Sequence, residues 1–297
     1  MVDRTMKGVF PILQMPFDDE GRIDREDLQR EVDFAVDSGS AGVGIAFGSE
    51  MVKLTEAELE LATRIVVEQA AGRVKVVINS GAQGTDAAVQ YSQRAEQRGA
   101  DALMLAPPTM FPAAPNDVRE YFRRIAAAVS IPIFIQDMPL APLSPDLIRL
   151  ISGDSENACY AKIETPPVPP RLSRMADQVG DRVIFFGGDG GVHLLQELRR
   201  GAVGTMPHCA CPDLFCRVLD CFESGDLNGA AQEYNRFAPL LRVLKQGGGT
   251  MAQFIAKEIL RLRGVLKAAN VRHPVDRPDD MTLLEVAELV ESLGLRQ

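Results

Sequence analysis

The sequence predicts an α/β protein that folds as a (β/α)8 TIM barrel with a C-terminal helical extension. Three observations carry this prediction: eight short apolar runs recur along the chain, a segment of helical period follows each run, and the last part of the chain has helical periods only. Runs that are apolar on both faces indicate a parallel sheet covered on both sides. Eight such units in ~220 residues fit a barrel better than an open doubly wound sheet.

The predicted elements follow one another in strict alternation. Several helices begin with a capping residue, such as Thr55 before Glu56 and Ser144 before Pro145. The predicted strands are residues 9–15, 42–47, 74–79, 102–106, 131–136, 158–163, 183–186 and 201–206. The predicted helices are residues 25–38, 56–71, 87–98, 116–129, 145–151, 171–179, 192–199 and 212–223, followed by 227–246, 250–269 and 281–293.

The domain organisation follows from where the alternation stops. We expect residues 1–225 to form the barrel that carries the active site, and residues 226–297 to form a helical extension packed on it. In a barrel of this kind the active site lies at the carboxyl ends of the strands and in the loops that follow them. Candidate residues are therefore sought at the strand ends.

Composition excludes several classes of partner. The chain of 297 residues has a net charge of −9 and no basic run, so we expect no nucleic acid partner. No window approaches the ~18 apolar residues of a membrane span, and the N-terminus lacks an export signal, so we expect no membrane partner and a cytoplasmic protein. Five cysteines are an odd number, and we expect reduced thiols. Their spacing between Cys209 and Cys221 is not that of a zinc site, so no metal is predicted.

Lys162 is the first candidate for chemistry. It ends the sixth apolar run, whereas the other six lysines lie in helices, loops or flanks where a solvated ammonium is expected. A desolvated ammonium loses its proton readily, which is what a lysine that forms a Schiff base needs. The alternative is a strand-end lysine that reaches solvent or pairs with Glu164. Because strand residues two apart share a face, Lys162 and Glu164 should point into the same cavity.

Other strand ends carry groups suited to small anions or proton transfer. Gly48 and Ser49 close the second strand, where backbone amides and a hydroxyl can hold a carboxylate; a capped turn is the alternative. The glycine-rich stretch around Asp189 does not match a nucleotide-binding fingerprint. His208 ends the eighth strand, where either a general acid or base or a structural histidine would fit.

These features together resemble the dihydrodipicolinate synthase / N-acetylneuraminate lyase family over nearly the whole chain. The resemblance is carried by the eight units, Lys162 on strand six, the Gly48-Ser49-Glu50 turn, the Gly-Gly-Asp sequence ending at Asp189 and the helical tail. It implies that Lys162 forms an imine with a small 2-keto acid substrate. It also implies an enzyme without a cofactor that assembles as a homotetramer.

Departures from the family pattern narrow the implied activity. The hydroxyls that usually meet the substrate carboxylate are reduced to Ser49, and Gln136 stands where the family's strand-five tyrosine relays protons. A glutamine amide does not titrate near neutrality. Thr109 aligns with the synthase's second tyrosine. The chain is more similar to the branch that dehydrates 2-keto-3-deoxy sugar acids, in which a carboxyl group such as Glu164 suits loss of a C4 hydroxyl.

The sequence therefore predicts a class I lyase that dehydrates a 2-keto-3-deoxy sugar acid. Its catalytic residues are Lys162, Glu164 and Gln136. The alternatives are a retro-aldol lyase or pyruvate-using synthase, a deaminase of a cyclic imino acid and, in another class, a pseudo-enzyme that only binds a keto acid. The predicted substrate-binding residues are Gly48, Ser49, Asp137, Asp189, Met206 and His208.

Overall fold

Eight strands alternate with helices in the computed structural model, which describes residues 2–111 and 113–296. They form a (β/α)8 TIM barrel, so the predicted fold class is confirmed. The strands are β1 (Gly8–Val9), β2 (Gly42–Ile45), β3 (Lys75–Asn79), β4 (Ala102–Leu105), β5 (Ile133–Asp137), β6 (Tyr160–Ile163), β7 (Ile184–Gly187) and β8 (Gly204–Thr205).

The helices begin where the capping residues of the sequence allow. Thr55 and Glu58 form a reciprocal capping box at one helix, and the Ser144 side chain accepts from the backbone N–H of Leu147 at another. No described helix is long and apolar enough to span a bilayer. The helices are α1 (Arg25–Asp37), α2 (Glu56–Ala70), α3 (Thr85–Gln97), α4 (Pro115–Ala128), α5 (Pro145–Asp154), α6 (Val168–Val179), α7 (Leu194–Leu198), α8 (Pro212–Glu223), α9 (Leu227–Lys245), α10 (Gly248–Leu262) and α11 (Asp280–Ser292).

The chain divides into two compact units. The first comprises Met1–Lys7 with Lys75–Met206, and it holds β3 to β8. Each of these strands pairs in parallel with the next, and Gln136 on β5 lies opposite Lys162 on β6. Stacked and edge-on rings of Phe134, Tyr160 and Phe186 fill the interior of this unit. Towards the carboxyl ends of β5 and β6, the same strand faces carry the polar residues Gln136 and Lys162.

The second unit comprises Gly8–Val74 with Pro207–Gln297. It holds β1, β2, the helices α1 and α2, and all helices from α8 onward. The predicted strand 9–15 is shorter in the structure, because Pro11 offers no backbone N–H to a ladder. Ile12 still forms isolated parallel bridges with Gly44 and His208.

The C-terminal part of the described chain is helical, with no strand after β8. Helix α10 ends at Leu262, seven residues before the predicted end, because Gly264 adopts a left-handed φ of 71° that terminates the helix. The boundaries of the two compact units do not fall at residue 226. The predicted division of the chain into 1–225 and 226–297 stays a prediction.

Candidate active site

Lys162 is the penultimate residue of β6, and its side chain lies on the strand face that points into the interior of the first unit. Its side chain is only 6% exposed, and its Nζ lies 3.1 Å from Oε1 of Glu164. The backbone N–H of Glu164 donates to the carbonyl of Asp137, so strand-like pairing continues past the end of β6. This continuation keeps Lys162 and Glu164 on one face, as the two-residue spacing predicts.

The Glu164 carboxylate receives hydrogen bonds from three directions. Oε1 accepts from Lys162 and, at 3.0 Å, from the backbone N–H of Asp189, while Oε2 accepts from Gln136 Nε2 at 2.7 Å. Burial acts to raise the pKa of Glu164, but the Lys162 charge and these hydrogen bonds outweigh it and hold the pKa below its ordinary value. The carboxylate is therefore ionised at neutral pH and can accept a proton.

Gln136 lies in the same cluster, and only one end of its side-chain amide forms a hydrogen bond among the described residues. Its Nε2 donates to Glu164, whereas its Oε1 is buried and has no hydrogen-bond partner among the described residues. A buried acceptor without a donor is unfavourable unless another molecule supplies one. This oxygen is thus suited to accept a hydrogen bond from a hydroxyl group of a bound ligand.

Asp189 and Met206, two further predicted substrate-binding residues, also lie in the first unit. Asp189 adopts a left-handed φ of 49°, and its backbone N–H points to Glu164 while its carboxylate lies 3.9 Å from His193 Nε2. Met206 follows β8, is buried, and donates its backbone N–H to the carbonyl of Gly187. The structure thus brings the Asp189 backbone into the Lys162 cluster. Substrate binding by the two side chains stays a prediction.

Asp137 ends β5 but turns its carboxylate toward helix α6. Arg171 donates to both oxygens, at 2.7 and 2.8 Å, and the backbone N–H of Leu143 donates to Oδ1 at 2.8 Å. The side chain of Asp137 is completely buried. These contacts favour a role in holding the loop after β5, and the expected contact with substrate stays a prediction.

Glu197 is a buried carboxyl group that sequence reasoning missed. Neither side-chain oxygen has a hydrogen-bond partner within the described residues, and the carboxyl lies so close to Gly187 that a side chain there would force the carboxyl to move. Burial, with the negative charges of Asp189 and Glu164, raises the pKa of Glu197 to about 8. The only sequence signal is a glutamate on the face of α7 that also buries Leu194 and Leu198.

Gly48, Ser49 and His208 meet in the second unit. Phe47–Ser49 forms a 3-10 turn after β2, and the Ser49 Oγ accepts from the backbone N–H of Ala46 at 3.2 Å. A Cβ on Gly48 would lie 3.4 Å from the His208 ring, an ordinary contact distance, and 3.2 Å from Cγ2 of Ile12, which is tight. His208 Nδ1 lies 3.1 Å from Nε2 of Gln14. The backbone N–H of Ser49 donates to the carbonyl of Ala46 at 2.8 Å. The Gly48 amide and the Ser49 hydroxyl are groups of a kind suited to a carboxylate.

The expectation that six lysines are solvated is wrong for two of them. Lys257 on α10 is fully buried and Lys53 nearly so, and both bind the buried carboxylate of Glu50. Burial lowers the pKa of Lys257 to about 8, against the opposing effect of Glu50. The signal in the sequence is helical spacing: Lys257 lies on the face of α10 that also buries Gln253, Ala256 and Leu260.

The five cysteines form no disulfide. Cys209 and Cys211 are buried, and burial raises the pKa of the Cys211 thiol to about 12. Within the described residues, no group of three or more His, Cys, Asp or Glu side chains is arranged to hold a metal ion. The buried thiols are thus protonated and serve as small packing residues.

The fold and the strand-end cluster define a (β/α)8 barrel with a buried lysine–carboxylate pair on strand six. The chain matches the model of the dihydrodipicolinate synthetase family over residues 5–293. It belongs to that family, which confirms the resemblance found in the sequence.

Similar proteins include enzymes of two activities. An L-2-keto-3-deoxyarabonate dehydratase of Azospirillum brasilense is 31% identical over 98% of this chain and 96% of its own. A 4-hydroxy-tetrahydrodipicolinate synthase of Methanococcus maripaludis is 26% identical over 80% of this chain and 83% of its own. The crystal structure of dihydrodipicolinate synthase from Rhodopseudomonas palustris superimposes with a TM-score of 0.89 at 27% identity, covering 97% of each chain. These relatives support an enzyme.

Proposed function

We propose that this enzyme dehydrates a 2-keto-3-deoxy sugar acid through an imine on Lys162. The observation that carries the proposal is the buried Lys162–Glu164 pair, 3.1 Å apart, with Gln136 on the same carboxylate. A carboxylate beside an imine-forming lysine is placed to move protons on the carbons next to the imine. The dehydratase name of the relative from Azospirillum brasilense supports the same reaction.

The proposed reaction has two chemical stages on the imine. Lys162 condenses with the C2 ketone and releases water, and the imine then acidifies the protons at C3 because it accepts electrons. Glu164 removes one C3 proton to give an enamine. The enamine expels the C4 hydroxyl as the protonated Glu164 returns the proton to it, so a second water leaves. Hydrolysis of the imine frees the product and Lys162.

Substrate binding is assigned to residues at the carboxyl ends of the strands and in the turn after β2. Gly48 and Ser49 are proposed to hold the substrate carboxylate through the backbone amide of Gly48 and the hydroxyl of Ser49. The unpartnered Oε1 of Gln136 is proposed to accept a hydrogen bond from a substrate hydroxyl. Asp189, Met206 and His208 are proposed as further substrate contacts, and Asp137 as a substrate contact or a support of the loop after β5.

Product analysis separates this proposal from the other lyase reactions. Incubation with 2-keto-3-deoxy pentonates and hexonates should release water and give a product that keeps all the carbons of the substrate. Retro-aldol cleavage would instead yield pyruvate. The synthase activity of the Methanococcus maripaludis relative keeps pyruvate-dependent carbon–carbon chemistry as the second candidate. The absence of a tyrosine at position 136 argues against it, because glutamine does not relay protons.

Imine trapping tests the common step of every enzymatic alternative. Reduction with borohydride in the presence of pyruvate, followed by peptide mass spectrometry, should locate a stable adduct on Lys162. A protein that labels no lysine in this experiment would contradict all of the lyase assignments and favour a keto-acid-binding protein. The expected homotetramer and cytoplasmic location are carried over from the family and from composition, and they remain parts of this proposal.

A further inference from the structure

Glu50 follows the turn Phe47–Ser49 and is the centre of a buried charge network in the second unit. Its side chain is fully buried, and its backbone has a left-handed φ of 57°. One oxygen accepts from Lys53 Nζ at 2.8 Å and from the backbone N–H of Arg272 at 3.1 Å. The other accepts from Lys257 Nζ. All of the charge on this carboxylate is therefore matched inside the protein.

Helix α10 contacts both ends of the turn. Gln253 Nε2 donates to the carbonyl oxygen of Phe47 at 3.0 Å, where the turn begins. Lys257, one helical turn later, binds Glu50 just after the turn ends and donates to the carbonyl of Asn270 at 2.7 Å. Residues four apart lie on one face of a helix. A single face of α10 thus holds the turn from its first residue to the residue that follows it.

A buried charge network covers a turn only when its charged groups are held in well-defined positions. Apolar side chains would exclude water equally well, whereas a fully buried ion pair stabilises only when its geometry is satisfied on both sides. The Lys257 ammonium also lies 4.5 Å from the centre of the Phe17 ring, which restricts its position further. The network therefore fixes where the turn lies, in addition to covering it.

We propose that Gln253 and Lys257 are positioning residues for substrate binding. Through Phe47 and Glu50 they hold the amide of Gly48 and the hydroxyl of Ser49 in the arrangement that receives the carboxylate of the 2-keto acid. This inference rests on the proposed function, which assigns the carboxylate to Gly48 and Ser49. The helices after the eighth strand then contribute to substrate affinity without touching the substrate.

Gln253→Leu is the sharpest first variant, because it removes the hydrogen bond to Phe47 and leaves the buried charges paired. Glu258→Gln is the matched control, since it removes a surface ion pair with Arg261 on the same helix. Each protein is treated with cyanoborohydride and either pyruvate or acetaldehyde, and the adduct on Lys162 is quantified by peptide mass spectrometry. Acetaldehyde has a carbonyl group for the imine but no carboxylate.

We expect Gln253→Leu to need about five- to tenfold more pyruvate for half-maximal labelling, which corresponds to about 1 kcal/mol of lost binding. Maximal labelling and labelling by acetaldehyde should match the wild type. Equal losses with both reagents would overturn the inference, because they would indicate general damage to the site. Unchanged labelling by pyruvate would overturn it as well. A wild-type protein that labels with neither reagent would instead contradict the proposed function.

Amide hydrogen exchange provides a readout that does not depend on imine chemistry. Exchange in the segment 47–50 should be faster in Gln253→Leu and in Lys257→Met than in the wild type or in Glu258→Gln. Because Lys257→Met removes one partner of a buried carboxylate, its folding is checked by the exchange of α8. Unchanged exchange in segment 47–50 of Gln253→Leu would overturn the inference, whatever the labelling result.

Discussion

Glu164 is the residue on which the proposed chemistry depends most directly. Its carboxylate is held by Lys162, Gln136 and the Asp189 backbone, and its pKa lies below the ordinary value. An ionised carboxylate in this position is ready to take a proton, and the glutamine amide beside it cannot replace it in that role.

Glu164→Gln should reduce turnover by about 10²-fold or more, because general base catalysis typically contributes 10²–10⁴-fold. Imine formation on Lys162 should persist, so borohydride trapping with pyruvate should still label this lysine. The exposed Glu156→Gln is the matched control. Turnover of Glu164→Gln at the wild-type rate would refute the assignment of the base.

Glu31 illustrates a buried acid away from the Lys162 cluster. Its Oε1 accepts from the backbone N–H of Gln14 at 2.7 Å, and its carboxyl faces Cys209, Lys257 and Asp27. Burial raises the pKa of Glu31 to about 8 from an ordinary value of 4.5. Between these two pH values the folded protein keeps a proton that the unfolded chain releases, so stability falls as pH rises through this range.

The free energy of unfolding should therefore decline less between pH 5.5 and 8.5 in Glu31→Gln than in the wild type. Each unit of pKa shift corresponds to about 1.4 kcal/mol, so the variant should recover on the order of 1–4 kcal/mol of the decline. Urea unfolding at the two pH values measures the effect. Glu26→Gln, an exposed carboxylate on the same helix, should leave the decline unchanged. An identical decline in Glu31→Gln and wild type would contradict the prediction.

At the scale of elements, helix α6 and strand β5 are joined by a forked ion pair. Arg171 donates to both oxygens of the fully buried Asp137, and the same carboxylate accepts from the Leu143 backbone in the loop after β5. Fork-shaped arginine contacts of this kind fix direction as well as distance. The pair thus sets the path of the chain from β5 into α5.

Arg171→Met should destabilise the fold by about 3–5 kcal/mol, because it leaves a buried carboxylate without its cationic partner. Chemical denaturation would measure the change. Arg149→Met, which removes an exposed pair with Asp146, should cost less than about 1 kcal/mol. Equal stability of Arg171→Met and the wild type would show that Asp137 has other support. Arg171→Lys should restore only part of the loss, since an ammonium cannot form the fork.

Local sequence patterns predicted the helices and strands, but they did not predict contacts between residues that are far apart in the chain. Helical period placed α8 at its observed bounds, and the two-residue spacing placed Lys162 and Glu164 on one face. The Lys257–Glu50 pair joins residues 207 positions apart, and no local pattern pairs them. The same holds for Arg171 with Asp137. Sequence reasoning thus identified side chains at strand ends but missed the residues that hold them.

At the scale of the whole molecule, the prediction concerns how the chain assembles. Met110, Phe111 and Leu140 are large apolar side chains in the loops after β4 and β5, and each is at least 70% exposed. Neighbouring exposed apolar side chains are typical of surfaces that another molecule covers.

We expect the protein to form a homotetramer, with a mass in solution close to four times the 32.3 kDa of one chain. Light scattering coupled to size-exclusion chromatography measures this mass across a range of concentrations. A mass of one chain at all concentrations would contradict the prediction. Phe111→Asp should shift the distribution toward smaller species, whereas Asp117→Asn on the following helix should leave it unchanged.

Gly187, the last residue of β7, and Gly188, which follows it, limit how this barrel can be redesigned. The carboxyl of Glu197 occupies the space where a side chain at position 187 would lie, and the side chain of Glu164 occupies the space beside Gly188. In a library with free choice at both positions, active clones should keep glycine at each. Shortening Glu197 to alanine should relax position 187 alone, since the space beside Gly188 is taken by Glu164, the proposed base. Efforts to change the substrate range can therefore vary position 187 once Glu197 is shortened, whereas position 188 should stay glycine.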